Sequence, residues 1–465
     1  MKRPLRNVLA FLLGDAGSRL IGFLITVYLA RVLNPSGFGI LNIGLAVLGN
    51  LGLFANPGIN VLEARNAAAS SGAQPERTGG VLVTRLLLAA GICAGTWLIV
   101  RVLLASTTTG DVVLLFVCSL VPMALFLDWF FQGKEQMGPV SVSRLLNYAV
   151  YGLIVFVMVQ GEADVLFAPL GFLLGNCAAA LFLLVVFRRR FGQLALRWQP
   201  GLVKSVLSEN LPVGAAMFLG QLVVNLPPIV IGAIVGTTEV GMFGAAMKVA
   251  FLFLLVDRMF NTLFLPVVTR YLATRADETG LLLSVTLKVV TLVMLPLAIA
   301  GIFLAPWLIA TVYGAGYERG ILLFQMLMAY VFLTVLNSVF VCTVLGGGHE
   351  RQYVRIMAAG AAVLATALVV LTPLAGGAGA ALAVVIGEAT VVMLSVRETR
   401  TVVGLPGFGI LLWPLIGAGV MAGATLALQP VGAGLTVGFL LYLVIVRAGG
   451  GVGREEFQYL RERFV

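Results

Sequence analysis

Charged side chains are scarce in this 465-residue chain, 11% against 60% hydrophobic, and a handful interrupt long apolar runs. Those few set the chemistry on offer. Asp15 and Arg19 stand four apart, so they share a helix face and can pair. Lys248, Arg85, Lys288, Glu388 and Asp257-Arg258 also fall within apolar stretches, as do the amides Asn42, Asn50, Gln221 and Asn225. A charge at the bilayer centre costs about 2.5–3.5 kcal/mol on insertion scales, so such a group faces a cavity or a partner. Each therefore has two readings. Asp15 and Arg19 are a self-neutralised structural pair, or Arg19 faces a cavity. The amides are interhelical glue or ligands. Arg85 and Lys288, one to two turns into their runs, can snorkel to the interface. Asp257-Arg258 reads as an interfacial pair. Glu388 is either a packed carboxylic acid or a proton-coupling site.

Catalytic constellations are missing from the sequence. His349 is the single histidine, which leaves no Ser/His/Asp set. Cys93, Cys118, Cys177 and Cys342 lie in apolar runs without metal-ligand spacing, as buried thiols do. The glycine-rich stretches 314–320 and 449–453 follow no strand, so they do not read as nucleotide loops. An enzyme, a cofactor and a metal site are therefore not expected. The net charge of +10 lacks the aromatic-basic motifs of nucleic-acid binding.

The elements that must position these residues are membrane helices. A soluble domain carries about 25% charged residues and could not cover itself with so few as here. Runs such as 140–160, 165–187 and 281–304 approach the roughly 20 residues a helix needs to cross. They are continuous, whereas barrel strands alternate over about 10 residues. Lys2, Arg3 and Arg6 resemble a signal's basic start, but the run after them lacks a cleavage site and reads as the first span. About 14 spans fit: 8–33, 39–62, 79–104, 111–131, 140–160, 165–187, 206–235, 241–265, 281–313, 321–345, 354–373, 377–396, 408–428 and 433–447. Arg19 then lies about 16 Å into the first, near the midplane, at 1.5 Å per residue. With the amino terminus cytoplasmic, most of the 30 basic residues fall in cytoplasmic segments. The opposite side keeps only Arg31, Arg101 and Arg319, so both termini are expected to be cytoplasmic.

The chain also repeats itself. Asn34-Pro35-Ser36-Gly37-Phe38-Gly39 joins spans one and two, and Thr238-Glu239-Val240-Gly241-Met242-Phe243-Gly244 joins spans seven and eight. Gln132-Gly133-Lys134-Glu135-Gln136 follows span four as Gly347-Gly348-His349-Glu350-Arg351 follows span ten. The unit is six spans, an even number, so the copies are parallel, and parallel halves are a transporter architecture. The expected organisation is an all-α integral membrane protein: a six-helix bundle over 1–204, a second over 205–405, and two extra helices with a tail over 406–465. The basic connection 188–204 between bundles suits an anchor on anionic lipid.

Several motifs resemble those of polysaccharide flippases of the multidrug/oligosaccharidyl-lipid/polysaccharide exporter superfamily. They are Tyr28-Leu29-Ala30-Arg31-Val32-Leu33-Asn34-Pro35-Ser36-Gly37-Phe38-Gly39, Trp129-Phe130-Phe131-Gln132-Gly133-Lys134-Glu135, Leu211-Pro212, and the eighth-span start Gly241–Lys248. The resemblance implies two bundles around a central cavity lined by spans one, two, seven and eight. It makes Arg19, Asn42, Gln221, Asn225 and Lys248 the candidate substrate ligands, with Asp15 and Glu388 as ion-coupling or charge-pair candidates. The implied substrate is an undecaprenyl-diphosphate-linked oligosaccharide, flipped across the inner membrane by alternating access for surface polysaccharide synthesis. A cationic cavity suits a diphosphate, because Arg forms bidentate bonds with phosphate oxygens. Many relatives carry an acid near the position where Asn225 stands here, and the lack of one in this chain argues against direct cation coupling at that spot. The implied partners are that substrate, membrane lipids, and the polymerase and glycosyltransferases of the pathway. A drug/cation antiporter of the same superfamily should have an acidic or aromatic cavity. A membrane polymerase or glycosyltransferase should have a soluble domain or clustered acids.

Overall fold

The computed structural model describes residues 2–70, 72, 74–103, 107–198, 200–403 and 408–449. Helices dominate because backbone amides in lipid must find partners within their own segment. In order they are α1 (Lys2–Val32), α2 (Asn34–Ala55), α3 (Ile59–Ala69), α4 (Pro75–Leu103), α5 (Thr108–Cys118), α6 (Leu120–Ala124), α7 (Asp128–Gly133), α8 (Met137–Met158) and α9 (Phe167–Phe191). Then follow α10 (Pro200–Ile234), α11 (Thr237–Phe253), α12 (Leu255–Thr274), α13 (Ala276–Tyr313), α14 (Arg319–Gly346), α15 (Glu350–Val402), α16 (Leu412–Ala427) and α17 (Val431–Ala448). Ten stretches among the described residues are long and apolar enough to cross a membrane. One of them, α15, is two such lengths joined at a break, where Ala375 and Gly376 leave helical geometry. The expected all-α membrane architecture is what the chain adopts.

Packing divides the chain between Gly241 and Met242. The bundle division at 204/205 follows the internal repeat instead, and it stays a proposal.

Within the first unit, the two glycine motifs of the repeat meet each other. A Cβ added at Gly39 would lie 1.8 Å from the Thr237 carbonyl oxygen, and one at Gly241 would lie 1.9 Å from that of Pro35. The relation is reciprocal: the start of α2 and the first turn of α11 cross backbone to backbone. The Ser36 and Thr237 hydroxyls bond across the crossing at 3.1 Å, and Asn34 donates to Glu162 nearby. Only residues without a Cβ permit helices to approach so closely.

At the other end of this unit, Trp129, Phe130, Phe131 and Phe187 form a buried aromatic cluster. Beside it the Lys134 ammonium donates to the Ser70 carbonyl at 2.6 Å. Glu63, 1% exposed, takes a two-pronged grip from Arg77 at 2.7 and 3.1 Å. The Trp129–Glu135 motif is thus a packing device that fastens α7 to α3 and α9.

The second unit is organised on α14, whose side chains are buried along most of its length. The hairpin of α16 and α17 lies against α13, where the Tyr442 hydroxyl donates to the Leu292 carbonyl at 2.9 Å.

Candidate functional site

The membrane stretch Thr108–Gly133, the fourth span expected from the sequence, is broken. α6 ends at Ala124 and α7 begins at Asp128, leaving residues 125–127 non-helical. Non-helical backbone at membrane depth survives only where protein or a wet cavity satisfies it. Here Arg85 of α4 does so, donating to the Met123 carbonyl at 2.8 Å and the Phe126 carbonyl at 2.9 Å. Arg85 is 4% exposed, so it turns inward rather than snorkelling. Lys288, at 9%, is buried too. The guanidinium suits Arg85's position because its planar fork reaches two carbonyls at once.

The break opens onto a cavity of about 360 Å³ inside the first unit. Asp128 lies at the break; Ser18 and Arg19 come from α1; Ser143, Arg144, Asn147 and Tyr148 from α8; Phe172, Asn176 and Ala179 from α9. Ser143, Arg144 and Asn147 share one face of α8, since positions three and four apart are neighbours on a helix. Ser18, Ser143, Asn147 and Asn176 are all buried. Asp128 Oδ1 is buried and has no hydrogen-bond partner among the described residues. A polar space whose described residues include two arginines and one carboxylate suits an anion that also carries hydroxyl donors better than it suits a cation.

The sequence candidates divide among several places. Arg19 reaches this cavity; the side chain of Asp15 lies outside the described residues, as do those of Leu211 and Pro212. Asn42 is buried but returns its amide to the Phe38 carbonyl at 2.7 Å. Asn225, 8% exposed, packs against Gly49 of α2. Gln221 is exposed. None of these three lines the cavity around Arg19. Lys248 is half-buried on α11, in the second unit. Glu388 of α15 accepts from Asn337 of α14 at 3.3 Å. The neighbouring Ser338 donates to Asp257, which also accepts from Asn261 at 3.0 Å. Two carboxylates therefore flank α14 on consecutive residues. Asp257 turns to these donors while Arg258 is exposed, unlike the interfacial pair expected.

The sequence reading missed Asp128, Arg144, Asn147 and Asn176. The available signal was Ser143, Arg144 and Asn147 recurring at helical spacing within an apolar run.

Membrane-length helices, with a polar cavity among those of the first unit, define an all-α integral membrane fold. Similar solved structures include "Lipid II flippase MurJ, inward closed conformation", with a TM-score of 0.74 at 13% identity, covering 94% of this chain and 98% of that one. An inward-facing multidrug resistance MATE family transporter of the MOP superfamily gives 0.65 at 14% identity, over 83% of this chain and 94% of the other. The family described as "Polysaccharide biosynthesis protein" matches residues 5–272, more than half of the chain, and the chain belongs to it. A similar curated protein is the "Putative O-antigen transporter" of Escherichia coli (strain K12), 22% identical over 407 residues, spanning 85% of this chain and 96% of that one. The chain is a multi-pass membrane transporter of flippase type acting in polysaccharide biosynthesis.

Proposed function

We propose that the protein moves an undecaprenyl-diphosphate-linked oligosaccharide from the cytoplasmic to the outer leaflet of the inner membrane, by alternating access. The observation that carries this reading is Arg19, a cation deep in α1 at the rim of a polar cavity. A diphosphate is the part of such a substrate least able to cross lipid unaided, and an arginine fork matches its oxygens. Lys248, Asn42, Gln221 and Asn225 are proposed further contacts along the path. Glu388, joined through Asn337 and Ser338 to Asp257, is the proposed coupling group. The polymerase and glycosyltransferases of the pathway are proposed partners. The cation-antiporter reading is the weaker one, because arginines outnumber carboxylates two to one among the described residues around the cavity.

Arg19→Ala tests this reading in proteoliposomes holding a fluorescent polyprenyl-diphosphate oligosaccharide. Losing a bidentate charged contact of about 2 kcal/mol lowers flipping roughly 30-fold while insertion stays normal. Arg19→Lys keeps part of the activity, since a point charge replaces a fork. A purely structural role gives the opposite pattern, in which adding Asp15→Ala to Arg19→Ala restores both protein level and transport.

Orientation has its own test. Reporter fusions at Gly192 and Gly280 should both read cytoplasmic, and one at Gly376 periplasmic. If Gly192 and Gly280 report opposite sides, the two bundles are not parallel.

A further inference from the structure

Beyond the diphosphate contact, the first unit's cavity has features that a phosphate alone does not use. At about 360 Å³ it lies at the low end of the roughly 300–1,000 Å³ range of small-molecule sites. Filled with liquid at about 30 Å³ per molecule it would hold about a dozen waters. That is room for one sugar ring and one phosphate, and too little for an oligosaccharide. Among the described residues its lining holds two arginines and one carboxylate. Arg85 supplies further positive potential from behind the helix break. Asp128 Oδ1 is an acceptor with no donor among the described residues. An ionised carboxylate only accepts, so this oxygen calls for a ligand O–H. The Asn176 amide nitrogen is already committed to the Phe172 carbonyl at 2.7 Å, which leaves its carbonyl oxygen as a second acceptor. A phosphate carries no hydroxyl donors for these acceptors, whereas a sugar carries several.

We propose that this cavity is a subsite for the phosphate-linked first sugar of the substrate, with Arg19 and Arg144 on the phosphate and Asp128 and Asn176 accepting from sugar hydroxyls. The assignment rests on the flippase reading and adds to it the end of the glycan that is read. It makes the protein selective for the first sugar and indifferent to the length of the chain beyond it. A discontinuous helix is where a transporter exposes polar groups at membrane depth, and the break at 125–127 places Asp128 there.

Binding to the full-length protein in detergent tests the assignment, using three probes: a short-chain polyprenyl-diphosphate hexose, the same polyprenyl diphosphate without sugar, and hexose 1-phosphate. The hexose-bearing lipid should bind at least about tenfold more tightly than the sugarless one. Asp128→Asn should erase that preference. Arg144→Gln should weaken both lipids about tenfold or more, with Arg144→Lys retaining part of the affinity. Measurable binding of hexose 1-phosphate that Asp128→Asn weakens supports the same assignment without the lipid. Nanodiscs containing phosphatidylglycerol, whose headgroup also joins a phosphate to hydroxyls, serve as competitor. If they displace the hexose lipid fully, the cavity is a general lipid-headgroup site and the proposal fails. Equal binding of both lipids to the unmodified protein, or an unchanged preference in Asp128→Asn, also overturns it. Translocation by the unmodified protein keeps the two readings apart. Flipping with no first-sugar preference overturns the subsite alone, whereas no flipping of any polyprenyl-diphosphate glycan overturns the function.

Discussion

Gly39→Val and Gly241→Val should each prevent the normal packing of α2 on the first turn of α11, with a loss of about 3 kcal/mol or more. The reason is geometric. A Cβ at Gly39 would sit 1.8 Å from a backbone oxygen, and one at Gly241 1.9 Å from another. Ordinary contact needs about 3.4 Å or more, so the helices would have to part by well over an ångström. Overpacking a core with flexible neighbours costs about 1–3 kcal/mol. Here the obstacle is main chain, which cannot turn aside, so the upper end applies. The two positions belong to one reciprocal contact, and the double variant should therefore be less damaging than the sum of the singles. Gly91→Ala is the control. It lies inside α4 with nothing within 4 Å of an added Cβ, and alanine there should stabilise by about 0.5–1 kcal/mol. Thermal unfolding in detergent, followed by the monodisperse fraction, reads all four. Wild-type melting of Gly39→Val would remove the crossing as a structural constraint.

The same crossing shows how much was legible beforehand. The two glycine motifs were recognisable as repeats from their spacing. Their contact was not, because a sequence shows which residues lack a Cβ and not what lies opposite. Apolar runs located the helices well, since lipid leaves few other ways to satisfy a backbone. Direction was harder to read. Arg85 lies at a depth where a long side chain can reach the interface, and depth alone favoured snorkelling; the structure turns it inward to a broken helix. The break itself carried no strong signal, because residues 125–127, Leu-Phe-Leu, are as apolar as the helices on either side. Asp128 was hidden by its position immediately before an aromatic motif. Arg19 was the most legible site residue, as a cation deep in an apolar run. Asn42 was an equally visible polar residue, yet it spends its amide on its own helix, and spacing could not distinguish the two.

Arg85 is also where a single substitution should do most damage without touching the cavity's lining. Arg85→Met keeps much of the aliphatic stem and removes the guanidinium. The Met123 and Phe126 carbonyls then lose donors at 2.8 and 2.9 Å, in a place where the side chain was 4% exposed. The Phe126 N–H still donates to the Met123 carbonyl at 3.2 Å, so the Phe126 carbonyl is the acceptor that loses its partner, at about 1–3 kcal/mol. Part is recovered because a buried charge is also removed, and its desolvation had opposed folding. The expected net loss is about 1–2 kcal/mol, seen as a lower melting temperature and a lower folded yield. Arg85→Lys should fall between, because one ammonium on a shorter reach replaces a fork aimed at two oxygens. The cavity gives a second readout. Asp128 begins the helix just after the two carbonyls, so loosening the break moves its carboxylate. Arg85→Met should then weaken the hexose-bearing probe more than the sugarless one, although Arg85 itself does not line the cavity. A variant that melts and binds like the unmodified protein would show that water, and not Arg85, satisfies the broken helix.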